Sequence, residues 1–311
     1  MTHYAPDFHG CDAWEVALPC SAHARRVSPC PLHPERVSQA RSHLPRLRHQ
    51  RHLRLLPVVY RHTTVSRRDV FLVSYPKSGN TWLKFMLTYL LSGHEADFDS
   101  DSAVIADVGS HRATPALLPG GGRLIKSHEP YSGPQKRVYR KAIYLVRDGR
   151  DVAISYYYMV LRRALYEGDF GPFLRLFLGR GVDGYGPWHE HVESWLASPL
   201  TRSASLLVLK YEDLLEHPVQ NLSATMEFLG MPVARGRAEE TIRIYSAERM
   251  RERERLSRFH EQQKRTDIMF VRTAGSGDWA RTFSAADEEL FARVTGDLLR
   301  RLGYANAHPH G

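Results

Sequence analysis

Nine residues, Ser74-Tyr75-Pro76-Lys77-Ser78-Gly79-Asn80-Thr81-Trp82, gather an ammonium, hydroxyls, a carboxamide and a glycine in one short stretch. These groups are hydrogen-bond donors, or they permit a tight turn, so the chemistry they suit is the holding of an anion. The apolar run Val70-Phe71-Leu72-Val73 precedes them and reads as a buried parallel strand. Pro76 stops the strand and Gly79 allows the chain to turn. Trp82, Phe85, Met86, Tyr89 and Leu90 then recur at helical spacing, and Gly93 stands where a C-terminal cap belongs. A strand, a short polar loop and a helix aim free N–H groups and a positive dipole end at one point. Lys77, Ser78, Asn80 and Thr81 add donors there, so a phosphate-like ligand is expected rather than an ordinary strand–helix turn. The loop differs from the nucleotide P-loop G-x-x-x-x-G-K-[ST], because here one Gly follows the Lys. Gly120-Gly121-Gly122 lacks dinucleotide-binding spacing and reads as a flexible loop.

Further along, Lys126 and His128 lie two apart on an extended segment, so a cation and a potential base point to one side. Arg147 and Ser155 flank a strand–helix turn, from which both can reach one ligand. Taken singly, His128 is a packed or solvated histidine, Arg147 an ion-pair residue, and Ser155 a helix residue bonding its own backbone. Trp82 alone fits core packing as well as a binding role. The joint pattern is what points to a site.

The elements that must position these groups alternate along the chain. Strands are expected over 70–73, 123–128, 142–146 and 206–209. Helices are expected from Trp82, from Val152, around Trp188 to Leu196, from Pro218 to Leu229, and after a capping arrangement at Ser284-Ala285-Ala286-Asp287. Leu290, Phe291, Val294 and Leu298 would face inward on that last helix. Residues 247–265 are strongly charged and read as a solvated helix. This order implies an α/β fold: a single P-loop-like domain with a central parallel sheet and helices on both faces. Sites in such sheets lie at the carboxyl ends of strands. Lys77, His128, Arg147 and Tyr211 all stand at such ends, so one shared site is expected.

The chain has 311 residues and a formal charge of +9. Residues 1–68 hold 11 Arg, no Lys and 4 acidic residues, which leaves the remainder nearly balanced. Cys11, Cys20 and Cys30 and 8 of the 17 His also lie in 1–68. The part that carries the motifs has no Cys, which excludes a thiol nucleophile and a disulfide framework there and suits a reducing compartment. Three readings of 1–68 stand: a basic, disordered extension, a metal site, or a start site set too far upstream. Composition favours the first, and Cys spacings of nine and ten match no zinc pattern. Residues 69–311 form the expected catalytic domain. No apolar run approaches the length of a membrane span and no signal peptide is visible, so a cytoplasmic location is expected.

Read together, these motifs resemble the sulfotransferases that use 3′-phosphoadenosine 5′-phosphosulfate (PAPS). Tyr75 to Trp82 looks like the family's 5′-phosphosulfate loop. Ile125-Lys126-Ser127-His128 looks like its Lys-x-His strand, and the run from Tyr144 to Tyr157 like its 3′-phosphate motif. Arg272 through Gly277-Asp278-Trp279 looks like its C-terminal loop, and Trp188 to Val192 and Tyr211-Glu212-Asp213 fit as well. The resemblance spans roughly residues 69–304. It implies that Lys77 stabilises the departing charge, that Ser78, Gly79, Asn80 and Thr81 cradle the 5′-phosphate, and that His128 removes the acceptor proton. It further implies that Lys126 steadies the sulfuryl oxygens and that Arg147, Ser155 and the stretch Arg272-Thr273-Ala274 hold the 3′-phosphate. Trp82 would stack on adenine and Tyr211 would bond its edge. Two departures stand out. Thr273-Ala274 replaces the family's Lys-Gly, and Ala280, Ser284 and Ala285 break its dimer segment, so the oligomeric state stays open.

The expected function is sulfuryl transfer from PAPS to a hydroxyl of a small-molecule acceptor, by in-line attack and without a metal. The alternative enzyme is a nucleotide-dependent kinase, against which stand the lack of a Walker lysine and of an evident Mg²⁺ carboxylate. Binding of nucleic acid or a membrane surface through 1–68 is not expected, because the basic stretch lacks interleaved aromatics and an amphipathic period.

Overall fold

A computed structural model of the protein describes residues 60–100 and 103–304. The expectations for residues 1–59, including the three cysteines, lie outside the described residues. The four expected strands are present: β1 (Val70–Ser74), β2 (Leu124–Ser127), β3 (Ala142–Val146) and β4 (Leu206–Lys210). They form one parallel sheet in the order β2-β1-β3-β4. Alternate residues serve opposite faces, as the pleat requires. Phe71, Val73, Tyr144 and Val146 enter one apolar cluster, while Leu72, Ile143 and Leu145 enter the other. With both faces buried, the strands read as continuous apolar runs.

The first cluster is covered by α2 (Gly149–Arg162), α3 (Phe170–Gly179) and α4 (Trp188–Leu196), through Val152, Phe173, Phe177, Val192 and Trp195. The second is covered by α1 (Asn80–Ser92) and by later helices on the same side, through Leu83, Phe85, Met86, Leu222 and Met226. Gly93 ends α1 at φ 76°, and its amide donates to the Tyr89 carbonyl, the left-handed cap that glycine supplies without strain. The stripe read from the sequence is too narrow for α1. Leu83 and Leu87, outside it, are fully buried because the helix packs on two sides, whereas Trp82 and Leu90 are only half-buried.

Chain direction in a parallel sheet puts all four carboxyl ends on one edge. At that edge β1 lies between β2 and β3, so the connections leaving β1 and β3 diverge and open a crevice. Asp69 secures the opposite edge, accepting the Ser66 amide at 2.7 Å and the Arg123 guanidinium at 2.6 Å.

Three expectations need correction. Residues 247–265 are not one solvated helix but two, Ala247–Arg255 and Arg258–Glu261, and Glu254 is fully buried against Arg162. The capping box at Ser284 and Asp287 forms, but Gly296 ends the helix at Thr295, Leu298 belongs to the next short helix, and Val294 is exposed. Gly120-Gly121-Gly122 is a tight turn, with the Leu118 amide donating to the Gly122 carbonyl at 2.9 Å. A Cβ on Gly122 would stand 2.0 Å from the Arg68 carbonyl oxygen, so close backbone approach explains that glycine. In addition, residues 60–66 pack on the domain: His62 is buried and bonds Tyr139, and Arg61 pairs with Glu129.

Candidate active site

β1 delivers the chain into the anion loop. Lys77 takes a left-handed backbone, φ 71°, which costs a non-glycine residue about 1–2 kcal/mol. Such strain is commonly stored where a backbone must meet a ligand. Gly79 follows at φ 95°, where a Cβ would stand 2.5 Å from the Tyr211 ring, so only glycine lets the loop lie on that tyrosine. The Tyr211 ring also carries the Arg147 guanidinium, 4.5 Å from its centre, and meets Trp82 edge-on. The Trp82 indole N–H donates to the Tyr245 carbonyl at 2.8 Å. Asn80 donates to the Ser74 hydroxyl at 3.1 Å, and Thr81 lies half-buried in the first turn of α1.

Arg147 joins the loop to the C-terminal motif. It donates to the Lys77 carbonyl at 3.4 Å and to the Gly275 carbonyl at 2.9 Å. Asp151, four residues on, accepts the amides of Gly277 and Trp279 at 2.7 and 3.1 Å, clamping that motif onto α2. Glu212 accepts the Asp148 amide at 3.0 Å and ties Tyr211 into the same assembly. Lys77, Ser155 and Arg272 line one narrow cleft, which Phe270 and Arg162 complete. Arg272 is anchored to Asp278 at 3.0 Å, as is the Thr273 hydroxyl at 2.6 Å.

Ala274 stands where the resembling motif has Gly, and it adopts φ 52°, a conformation suited to glycine. Ala274→Gly is therefore expected to stabilise the fold by roughly 0.5–1 kcal/mol, the relief of strain outweighing the added freedom of the unfolded chain. Urea denaturation checks this, and a less stable variant would show that the loop does not require that backbone.

Cations dominate the cleft. Burial pushes the Lys77 ammonium well below its ordinary value, and Arg163, Arg162 and Arg147 push it further; Glu254 opposes. The Lys77 ammonium rests 3.5 Å from the centre of the Phe270 ring. The Ser78 hydroxyl and the Nε atoms of Arg147 and Arg272 are buried without a hydrogen-bond partner. Buried orphan donors beside clustered cations fit a polyanionic ligand.

His128 follows β2 and is half-buried. Its Nδ1 lies 2.7 Å from the Ser74 carbonyl oxygen, which can only accept, so Nδ1 carries the proton and Nε2 keeps its lone pair. His191 donates to the His128 carbonyl at 3.0 Å and pairs with the Tyr144 hydroxyl at 2.9 Å, bracing the segment from α4 and β3. Burial lowers the His128 imidazole and Lys126 lowers it further, to about 4, with Asp107 and the Ser74 bond opposing. The ring is therefore neutral at pH 7. Lys126 does not extend unpaired towards Lys77; its ammonium is held by Asp107 at 3.0 Å.

The family model for the sulfotransferase domain matches residues 67–303. The chain belongs to the sulfotransferase family. Sulfotransferase 1A1 of Mus musculus is 30% identical over 240 residues, covering 72% of this chain and 81% of the relative. Sulfotransferase 2A6 of Rattus norvegicus is 27% identical, covering 74% and 84%. Among solved structures, mouse sulfotransferase SULT7A1 complexed with PAP superposes with a TM-score of 0.61 at 23% identity, covering 82% of this chain and 90% of its own. Retinol dehydratase in complex with androsterone and the inactive cofactor PAP gives 0.66 at 20%, covering 79% and 86%. These two likenesses concern the fold.

In this sulfotransferase, Lys77, Ser155 and Arg272 line one cleft, while Arg147, Tyr211 and His128 reach the loop 74–82 from separate strand ends. Several participants escape a reading of the sequence. Asp151 lies within the run from Tyr144 to Tyr157, where the sequence alone gives it no role of its own. Asp107, Arg162 and Glu254 had no local signal at all, since each looks like an ordinary surface charge.

Proposed function

We propose that this sulfotransferase transfers the sulfuryl group of PAPS to a hydroxyl of a small-molecule acceptor, with His128 as general base. The observation that carries the reading is Ser74. Its hydroxyl accepts from Asn80 in the anion loop, and its carbonyl accepts from His128. One residue thus couples the loop for the donor to the base for the acceptor.

Bound PAPS supplies an activated sulfuryl group on a phosphate leaving group. Ser78 to Thr81 and the first amides of α1 hold the 5′-phosphate. Lys77 neutralises charge on the departing oxygen, and Lys126 attracts the sulfuryl oxygens. His128 Nε2 takes the hydroxyl proton as the acceptor oxygen attacks. Arg147, Ser155 and Arg272, with the backbone of Thr273 and Ala274, hold the 3′-phosphate, and Trp82 and Tyr211 border the adenine. The printed descriptions of two neighbours support both halves of this reading: SULT7A1 is complexed with PAP, which fits the donor, and retinol dehydratase holds androsterone, which fits a small organic acceptor.

The test is the 3′-phosphate, the group that separates PAPS from adenosine 5′-phosphosulfate. Hydrogen bonds to a charged group contribute roughly 1.5–3 kcal/mol each. Calorimetry on wild-type protein is expected to favour 3′-phosphoadenosine 5′-phosphate over AMP by at least about tenfold. Arg147→Ala should erase most of that preference. Equal wild-type affinity for the pair would sink the assignment of the cosubstrate.

A further inference from the structure

The segment 105–108 runs beside the outer edge of β2. Lys126 donates its amide to the Ala106 carbonyl at 2.9 Å, and Val108 donates to the Lys126 carbonyl at 2.8 Å. Asp107 is thereby paired with Lys126 in parallel register. Neighbours in register share a face of the sheet, and so do residues two apart on one strand. Carboxylate, ammonium and imidazole therefore stand on one surface, at the edge where the anion loop lies. Asp107 grips the ammonium with both oxygens, at 3.0 and 3.3 Å. The Lys126 side chain is 14% exposed and that of Asp107 36%, so the pair opens to solvent on the carboxylate side.

We propose that Asp107 is a positioning residue for the transfer reaction: it holds the Lys126 ammonium in place beside His128 and offsets that ammonium's field at the imidazole. The proposal rests on the sulfuryl-transfer reading above. A lysine ammonium on a four-carbon stem has many rotamers, and a two-oxygen grip selects one. Two cations act on His128: Lys126 from β2 and Lys84 from α1. Asp107 is the carboxylate that opposes them. The Ser74 carbonyl from β1, the Tyr185 ring at 5.8 Å and His191 of α4, bonded to the His128 carbonyl, complete its surroundings. Without the carboxylate, His128 becomes a weaker base and Lys126 leaves its place. Burial pushes the Asp107 carboxyl up, but the charges of Lys126 and Lys84 and the hydrogen bond from Lys126 help bring it below its ordinary value, so it stays ionised.

The experiment is a double-mutant cycle, with transfer from PAPS to a panel of simple phenols and alcohols as readout. Asp107→Asn is expected to lower kcat about tenfold and to leave calorimetric affinity for 3′-phosphoadenosine 5′-phosphate within about twofold. That effect should be clearly smaller in the Lys126→Met background, where only the direct field of the carboxylate at His128 remains, and Asp107→Glu should recover part of the rate. NMR titration of His128 in cofactor-free protein should give a lower midpoint in Asp107→Asn than in wild type. An unchanged kcat, an additive effect in the double variant, or an unchanged midpoint would overturn the proposal. If Asp107→Asn does not fold, Asp107→Ser reads the same quantities; failure of both to fold assigns Asp107 to stability and also overturns it. If wild-type protein transfers sulfuryl to no acceptor, the functional reading fails, and the His128 midpoint still decides the electrostatic half.

Discussion

His128→Ala is expected to slow sulfuryl transfer by about 10²–10⁴-fold, the usual contribution of a general base. Nucleotide affinity should change little, since the imidazole is tied to Ser74 and not to the cleft lined by Lys77, Ser155 and Arg272. The pH profile gives a second check. The base works only when unprotonated, and its pKa is lowered to about 4. Wild-type kcat/KM should therefore be level through neutral pH and fall only as the pH drops towards 4. An acid limb near 6.5 would mean that burial and Lys126 do not act on the ring as the geometry requires. Near wild-type turnover in His128→Ala would reduce the residue to a structural part.

Lys77→Met is expected to cost about 10²–10³-fold in kcat, the scale found when one preorganised charge or donor is removed from a developing negative oxygen. The substitution keeps a long unbranched side chain and removes only the ammonium that rests on Phe270, so the fold should be retained. Lys77 also predicts a proton linkage. Burial and three nearby guanidinium groups hold its ammonium well below the ordinary value in the free protein. A bound polyanion favours the charged form and raises it again. Binding of 3′-phosphoadenosine 5′-phosphate at alkaline pH should therefore take up protons, as calorimetry in buffers of different ionisation enthalpy reports. The uptake should disappear in Lys77→Met. Proton release in wild type, or full activity in the variant, would remove Lys77 from the proposed role.

The two results address different halves of the site. His128 reads the acceptor side, Lys77 the donor side, and Ser74 hydrogen-bonds both His128 and Asn80 of the anion loop. A loss at one with the other intact is therefore interpretable. Joint loss of nucleotide binding in His128→Ala would instead implicate the Ser74–Asn80 bond, which the imidazole helps to orient.

What the sequence determines by itself is whatever depends on short spacing. The burial of 70–74, the turn at Gly79, the cap at Gly93 and the common side of Lys126 and His128 follow from side-chain periodicity and the freedom of glycine. The parallel sheet follows from alternating strands and helices, and with it the meeting of Lys77, His128 and Arg147 at one edge. What only the tertiary structure decides depends on chain segments far apart. Asp107 reaches Lys126 because 105–108 lies down beside β2, although nothing in that segment reads as a strand. Glu254 looks like one more charge in a solvated helix, yet it is buried, pairs with Arg162 at 3.0 Å and accepts the amide of Val271 at 2.8 Å. The protonated nitrogen of His128 is set by a carbonyl 54 positions earlier. Local spacing fixes which way a side chain points, but a charge's partner, and so its function, is fixed by packing between elements that no window of sequence contains.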